Sequence, residues 1–326
     1  ASRVESRSME IIRGLHNITA RHKGCVVTIG TFDGLHHGHQ MLLSHLKAKS
    51  EELNYPNLLV TFEPLPREYF QGAVVPARLT RFREKVTILR GLALDRLLCI
   101  PFNERTRIIP AKDVIEGLLV NTLDVQYLVV GDDFRFGEGA RGNYEMLKEA
   151  GDRFGFGVSH MGTLKFEHGR ISSSRIRDAL SLGDFELAEK LLGRPYFIMG
   201  RVVYGRQLGH RLGVPTANIR LQRYRAALEG VFAVTVTGLD QQYDGIANIG
   251  VRPTVDGKEP LLEVHIFDFD EEIYGRLLTV TFLNKVRDEQ TFDDLDSLKN
   301  QIEKDISETR EWFAKRRLER DRDIVA

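Results

Sequence analysis

Hydrophobic positions in the first half of the chain come in short solid runs, separated by stretches with helical spacing. CVVTIG (25–30), NLLVTF (57–62), RLLCIPF (96–102) and VQYLVVG (125–131) are continuous apolar β-rich runs, as strands buried on both faces require. The stretch from about Gly38 to Leu53 is amphipathic, and REKVTILRGL (83–92) and KDVIEGLLVNTL (112–123) are predicted helices. This β-α-β alternation predicts a parallel sheet covered by helices. Ligands of such sheets sit beyond the carboxyl ends of the strands, which makes the turns after Gly30, Phe62 and Gly131 the places to hold one.

Near the middle the rhythm changes. YFIMGRVVYG (196–205), GVFAVTVTG (230–238), YDGIANIG (243–250), LLEVHIFDFD (261–270) and LLTVTFLNKV (277–286) are β-rich runs punctuated by Gly, Pro and Asp. EVHIFDF and LTVTF alternate with period two, so the second half is predicted to be a small antiparallel barrel or sandwich. Leu295, Leu298, Ile302, Ile306, Thr309 and Phe313 predict a last helix over 294–315, and the charged tail KRRLERDRDIVA is expected to fray. The division is placed around 185–195, where Gly193-Arg194-Pro195 ends a short helix, giving domains of 9–186 and 187–326. Residues 1–8 precede Met9 and read as an added tail or processed leader outside the fold.

Composition narrows the function classes. Forty-six Lys+Arg balance 46 Asp+Glu, with 42% hydrophobic and 28% charged residues, an ordinary globular mixture long enough for about two domains. Zero net charge argues against nucleic acid or an anionic membrane as the main partner, because both reward a basic surplus; a local basic pocket for one nucleotide stays open. No apolar run approaches the roughly 18 residues of a membrane span, and no basic segment runs into an apolar stretch at the start. Cys25 and Cys99 lack CxxC or Cys/His companions and read as buried thiols of a reducing cytoplasm.

Four turns carry candidate chemistry. Gly30-Thr31-Phe32-Asp33-Gly34-Leu35-His36-His37-Gly38-His39 joins a strand to a helix start; its glycines let a ligand approach, and His36 and His39 can face a phosphate there. Gly131-Asp132-Asp133-Phe134-Arg135-Phe136-Gly137 suits a planar ring with Arg135 near phosphates, or is an acidic turn over two core phenylalanines. Ile171-Ser172-Ser173-Ser174-Arg175-Ile176-Arg177 is a capping motif that also offers hydroxyls and one arginine to a polyphosphate. In 205–218, Gly205, Gly209 and Gly213 space a basic loop, and Thr216 and Asn218 offer hard oxygen ligands of the kind magnesium prefers; a plain hairpin loop is the alternative. Glu263 shares a strand face with His265 and could deprotonate a substrate hydroxyl, or be an ordinary solvated glutamate. No GxxxxGK[ST] loop and no HRD/DFG pair occurs.

Taken in order, GTFDGLHHGH (30–39), TFEPLP (61–66), RLTRFREK (78–85), GDDFRFG (131–137), ISSSRIR (171–177), LGVPTANI (212–219), EGVFAV (229–234), ANIGVRPTV (247–255) and LEVHIFDFDEEIYG (262–275) resemble the bacterial bifunctional riboflavin kinase/FMN adenylyltransferases. The resemblance spans Met9 to about Phe313. Departures are Leu65 in place of a frequent histidine, Ser174 for threonine, Val214 for phenylalanine and His210 for arginine. It implies a Rossmann-like parallel-sheet nucleotidyltransferase domain of the HxGH type, then a six-stranded antiparallel β-barrel kinase domain with a terminal helix. It implies Glu263 as base on riboflavin, and Thr216 and Asn218 as holders of Mg2+ with ATP. The 205–213 loop would lie on the phosphates. For the conversion of FMN to FAD it implies His36 and His39 as charge stabilisers, Ser173 and Arg177 on the polyphosphate, and Asp133 in the nucleotide or flavin pocket. Two other readings stay open: a kinase whose first half is degenerate, and a flavin-binding sensor without turnover. Nucleic-acid binding is a distant third.

Overall fold

The computed structural model describes residues 8–205, 213–254 and 257–325. By contacts the chain forms two compact units, one of residues up to 75 with 80–173, the other of 76–79 with 174–326.

The first unit is a six-stranded, wholly parallel sheet. Its strands are β1 (Glu10–Arg13), β2 (Cys25–Ile29), β3 (Asn57–Glu63), β4 (Arg96–Pro101), β5 (Val125–Gly131) and β6 (Gly157–Met161), in the order β1-β4-β3-β2-β5-β6. The apolar runs behave as expected of strands covered on both sides. Val26, Leu59, Leu97 and Val129 pack with Leu42, Leu43 and Leu46 of α1 (His37–Leu53) and Val86 and Leu89 of α3 (Phe82–Leu89). Val27, Leu58, Leu98 and Leu128 face the other layer, with Ile115, Leu119 and Leu147. Strand order reverses between β2 and β5, so the crevice that open α/β sheets offer to ligands lies at the carboxyl ends of these two strands.

Some elements differ from the predicted ones. The 112–123 helix starts as Ala111–Asp113 and widens to π geometry over Val114–Thr122, with Leu123 N–H donating to Leu118 O five residues back. We call this element α4. β1, β6, α2 (Pro66–Gln71), α5 (Tyr144–Phe154) and a short antiparallel pair, β7 (Lys165–Phe166) with β8 (Gly169–Arg170), lay outside the predicted set.

The second unit begins with two helices, α6 (Ser173–Ser181, its first residue in the other unit) and α7 (Phe185–Leu192). There follows a closed antiparallel barrel of β9 (Phe197–Val203), β10 (Ala217–Arg220), β11 (Gly230–Thr237), β12 (Tyr243–Thr254), β13 (Gly257–Ile266) and β14 (Leu277–Arg287). Phe232, Leu262, Val264, Leu278 and Val280 are fully buried; Glu263 and Thr279 alternate with them half-buried, whereas Val231 and Ala233 beside Phe232 are buried in a second cluster with Phe313. The Pro-Thr-Ala-Asn segment leads into a strand, β10, which begins at Ala217 and is wedged between β9 and β13. The last helix, α8 (Leu295–Val325), runs through the tail expected to fray. Strong helix formers with both signs of charge fill that tail, Arg316 stacks on Trp312, and Arg317 reaches Asp244 on β12 at 2.5 Å. α8 is pinned to β14 by Arg287, whose Nε donates to Asp305 Oδ2 at 2.9 Å and whose Nη2 is ion-paired with the same oxygen at 2.9 Å; Gln301 donates to the same carboxylate at 2.8 Å.

Candidate active sites

The turn after β2 is an internally bonded knot. Phe32, Gly34 and Leu35 have φ of 48°, 87° and 46°, a left-handed path that needs outside support for the two non-glycines. Support comes from Asp33, buried, whose Oδ1 accepts from Thr80 N–H at 2.9 Å, while Gly34 N–H donates to Thr80 Oγ1 at 3.0 Å. Ser173 Oγ donates to Asp33 O at 2.8 Å. Asp33 and Ser173 thus hold the loop's shape. His36 caps α1, its Nδ1 accepting from His39 N–H at 3.4 Å. The two imidazoles stack with centroids 3.7 Å apart and planes 14° apart, and Phe32 lies 4.9 Å from His39. A Cβ on Gly38 would meet the His36 ring at 3.0 Å, so a larger residue there would push the ring by a few tenths of an ångström. A Cβ on Gly30 would press on the Phe32 ring at 3.0 Å. His37 faces solvent. The stack stands at the start of α1, where helix amides favour anions.

Other residues expected near phosphates are placed as follows. Asp133, at the carboxyl end of β5, is exposed and paired to Arg170 at 2.7 Å. Its neighbour Asp132 accepts from Thr163 N–H at 3.1 Å, and Phe134 and Phe136 stack at 5.6 Å. Ser174 is exposed and, like Arg177, belongs to the second unit, where Arg177 Nε donates to Ala77 O at 2.5 Å. Sequence reasoning passed over Lys85. It is fully buried on α3, with Nζ 2.5 Å from Thr31 O and 3.2 Å from Thr61 Oγ1.

In the barrel, Glu263 of β13 lies directly opposite Asn218 of β10 on one side and Asn248 of β12 on the other. Cross-strand partners project from the same face, so one carboxylate stands between two amides outside the barrel core. A cavity of about 500 Å³ opens over this row, lined by Val214, Thr216, Asn248, Glu263, His265 and Glu289 and covered by Leu295, Leu298 and Ile302 of α8. Asn248 hydrogen-bonds Glu289, whose carboxyl is pushed above the usual range chiefly by burial and further by the charges of Glu229 and Glu263. His265 Nδ1 donates to Pro215 O at 2.8 Å. A second cavity, about 420 Å³, is lined by Tyr204, Gly205, Thr216, Asn218, Glu272 and Tyr274, the two tyrosines stacked at 3.8 Å. Asn218 is buried, and its Oδ1 has no hydrogen-bond partner among the described residues. Gly205 abuts it: a Cβ there would sit 2.5 Å from that oxygen. Gly213 is left-handed at φ 77°, and Gly209 lies outside the described residues. Asn248 and Glu289 were not foreseen; counting back from the β12–β13 turn would have set Asn248 opposite Glu263.

Comparison with known proteins agrees with both halves. The FAD synthetase family matches residues 18–175 and the riboflavin kinase family residues 192–313. A bifunctional riboflavin kinase/FMN adenylyltransferase of Pseudomonas fluorescens is 47% identical over 93% of this chain and 97% of its own length. That of Escherichia coli K12 is 45% identical over 94% and 98%. A solved structure described as a macrolide-efflux protein from Streptococcus pneumoniae is 30% identical, with TM-score 0.76, over 93% of this chain and 100% of that one. Among the described residues no helix is long and apolar enough to cross a membrane. With both families matched in order and relatives near half-identical over almost its whole length, the chain belongs to the bifunctional riboflavin kinase/FMN adenylyltransferases.

Proposed function

We propose that the chain phosphorylates riboflavin to FMN with one ATP in the 187–326 domain, and adenylylates FMN to FAD with a second ATP in the 9–186 domain. The observation that carries the kinase reading is Thr216, which lines both barrel cavities. The cavity holding Glu263 has the size and mixed lining of a site for a neutral fused ring with a polyol arm; the other takes the nucleotide. Thr216 stands where the two substrates meet. Glu263 accepts the proton of the ribityl 5′-hydroxyl as its oxygen bonds to the γ-phosphorus and ADP leaves. Asn218 Oδ1, without a hydrogen-bond partner among the described residues, and the Thr216 hydroxyl are hard oxygens at that junction, a donor set that fits magnesium. When bound, magnesium neutralises charge on the ATP phosphates. Gly205 and Gly213 leave backbone room beside those phosphates, with Gly209 expected on the same loop.

In the other domain an FMN phosphate oxygen attacks the α-phosphorus of ATP and pyrophosphate leaves. His36, His39 and the start of α1 stabilise the charge that builds there, with Asp133 toward the flavin or nucleoside. Gly30, Phe32, Asp33, Gly34 and Ser173 shape the turn that holds it. Two buried thiols, Cys25 and Cys99, favour the cytoplasm as its compartment. The test is a time course of riboflavin, ATP and magnesium with flavins resolved by chromatography. FMN rises and falls as FAD accumulates. The double variant His36→Ala/His39→Ala still makes FMN and no FAD; equal loss of both products refutes the two-site assignment.

A further inference from the structure

Lysine is almost never fully buried, because taking an ammonium out of water is costly unless the site is built for it. Lys85 is 0% exposed, and no ligand outside the protein can touch it. Its Nζ lies 2.5 Å from the carbonyl of Thr31 and 3.2 Å from the hydroxyl of Thr61, spanning the carboxyl ends of β2 and β3. Thr31 itself is exposed. The ammonium therefore lies under the first peptide of the phosphate-facing turn and pulls that carbonyl inward. In a trans peptide the N–H of the next residue points the opposite way. That residue is Phe32, whose left-handed φ of 48° leads into the knot held by Thr80. One short segment, Thr80 to Lys85, grips the turn at Thr31, Asp33 and Gly34.

The geometry points to Lys85 as a positioning residue for adenylyl transfer: it sets the Thr31–Phe32 peptide so that the Phe32 N–H faces the nucleotide phosphates, and its buried charge favours anions at that spot. This rests on the 30–39 turn being the adenylyl-transfer site. A lysine that merely stapled β2 to β3 would, when replaced, lower the fraction of working molecules; kcat would fall and KM would stay. A lysine that shapes the phosphate contact raises KM for ATP selectively.

The experiment uses the full-length chain bearing Lys85→Met, with steady-state kinetics for FAD formation varied separately in ATP and FMN, and riboflavin phosphorylation measured in the same preparation. The expected result is a KM for ATP raised about tenfold or more, KM for FMN and the kinase step unchanged. An unchanged KM for ATP, with or without loss of kcat, overturns the proposal, as does an equal rise in both KM values. Should Lys85→Met not fold, Thr61→Val carries the test, since it is nearly isosteric and removes both an anchor of the ammonium and the long 3.5 Å bond from Thr61 Oγ1 to Thr31 O, two contacts that hold the same carbonyl. A rise of about threefold in KM for ATP supports the role, and none overturns it. Wild-type protein that makes no FAD from FMN and ATP would instead remove the reading of the site beneath it.

Discussion

Gly205→Ala isolates the geometry of the kinase centre with one carbon atom. Gly205 does not have a left-handed φ, so alanine meets no backbone objection. The objection is steric: the new Cβ would lie 2.5 Å from Asn218 Oδ1 and nearer still to the amide nitrogen. Ordinary contact begins near 3.4 Å, so the amide must recede by about 1 Å. Asn218 is buried on a strand between two neighbours and has little room to do so. Overpacking of this kind costs about 1–3 kcal/mol of stability, while a 1 Å misplacement of a positioning group costs on the order of 10²-fold in rate. The assay is the initial rate of FMN formation against magnesium and ATP, with FAD formation from supplied FMN as internal control. FMN formation should fall about 100-fold and need more magnesium, with FAD formation untouched. A variant within about twofold of wild type, at wild-type magnesium dependence, would show that Asn218 holds nothing in catalysis.

Other outcomes follow from the same contacts. Glu263→Gln should cut FMN formation by about 10²–10⁴-fold and leave FAD formation from FMN intact; undiminished FMN formation rules it out as base. Asp305→Ala leaves the Arg287 guanidinium without its carboxylate under α8 and should cost about 3–5 kcal/mol in urea unfolding of the kinase half. Burial pushes the Cys25 thiol up to about 12 from 9.0, so the native protein holds its proton more tightly than the unfolded chain. The stability this confers is present below about pH 9 and is lost as pH rises through that window toward 12; native protein at about pH 8 should resist thiol alkylation at Cys25 until denaturant is added.

How far the chain could be read from its letters depended on whether burial was uniform along each element. β2, β3, β4 and β5 are covered on both faces, so their runs are solid and their ends fall within about two residues of expectation. β1 is four residues with Glu10 and Arg13 at its ends, and β6 is half-buried GVSHM; neither carries a hydrophobic signature, because each lies at a sheet edge. The HxGH turn was legible because strand, glycines, histidines and helix start follow one another directly. The sequence assigns Asp33 and Ser173 to ligands; in the fold Asp33 Oδ1 accepts from Thr80 N–H and Ser173 Oγ donates to Asp33 O. Short polar side chains near a glycine turn read alike whether they hold a phosphate or the loop. Lys85 was invisible, since a lysine in a helix reads as solvated unless its tertiary surroundings are known. Glu263 could be paired with His265 from alternation, whereas its amide flanks needed the register of β10 and β12.

Barrel closure has a consequence for how the protein emerges from the ribosome. The last strand of the parallel sheet ends at Met161, while the barrel closes only when β14, ending at Arg287, pairs with β9. The first barrel strand is complete at Val203, 84 residues before Arg287 (287 − 203), so at roughly 5–20 residues per second it waits roughly 4–17 s before the barrel can seal. During this interval Phe197–Val203 and Gly230–Thr237 both lack the neighbour they share in the finished ring. The half that makes FMN is therefore the last to mature and the first to suffer from a truncated message, whereas the half that consumes it can be folded before the barrel exists.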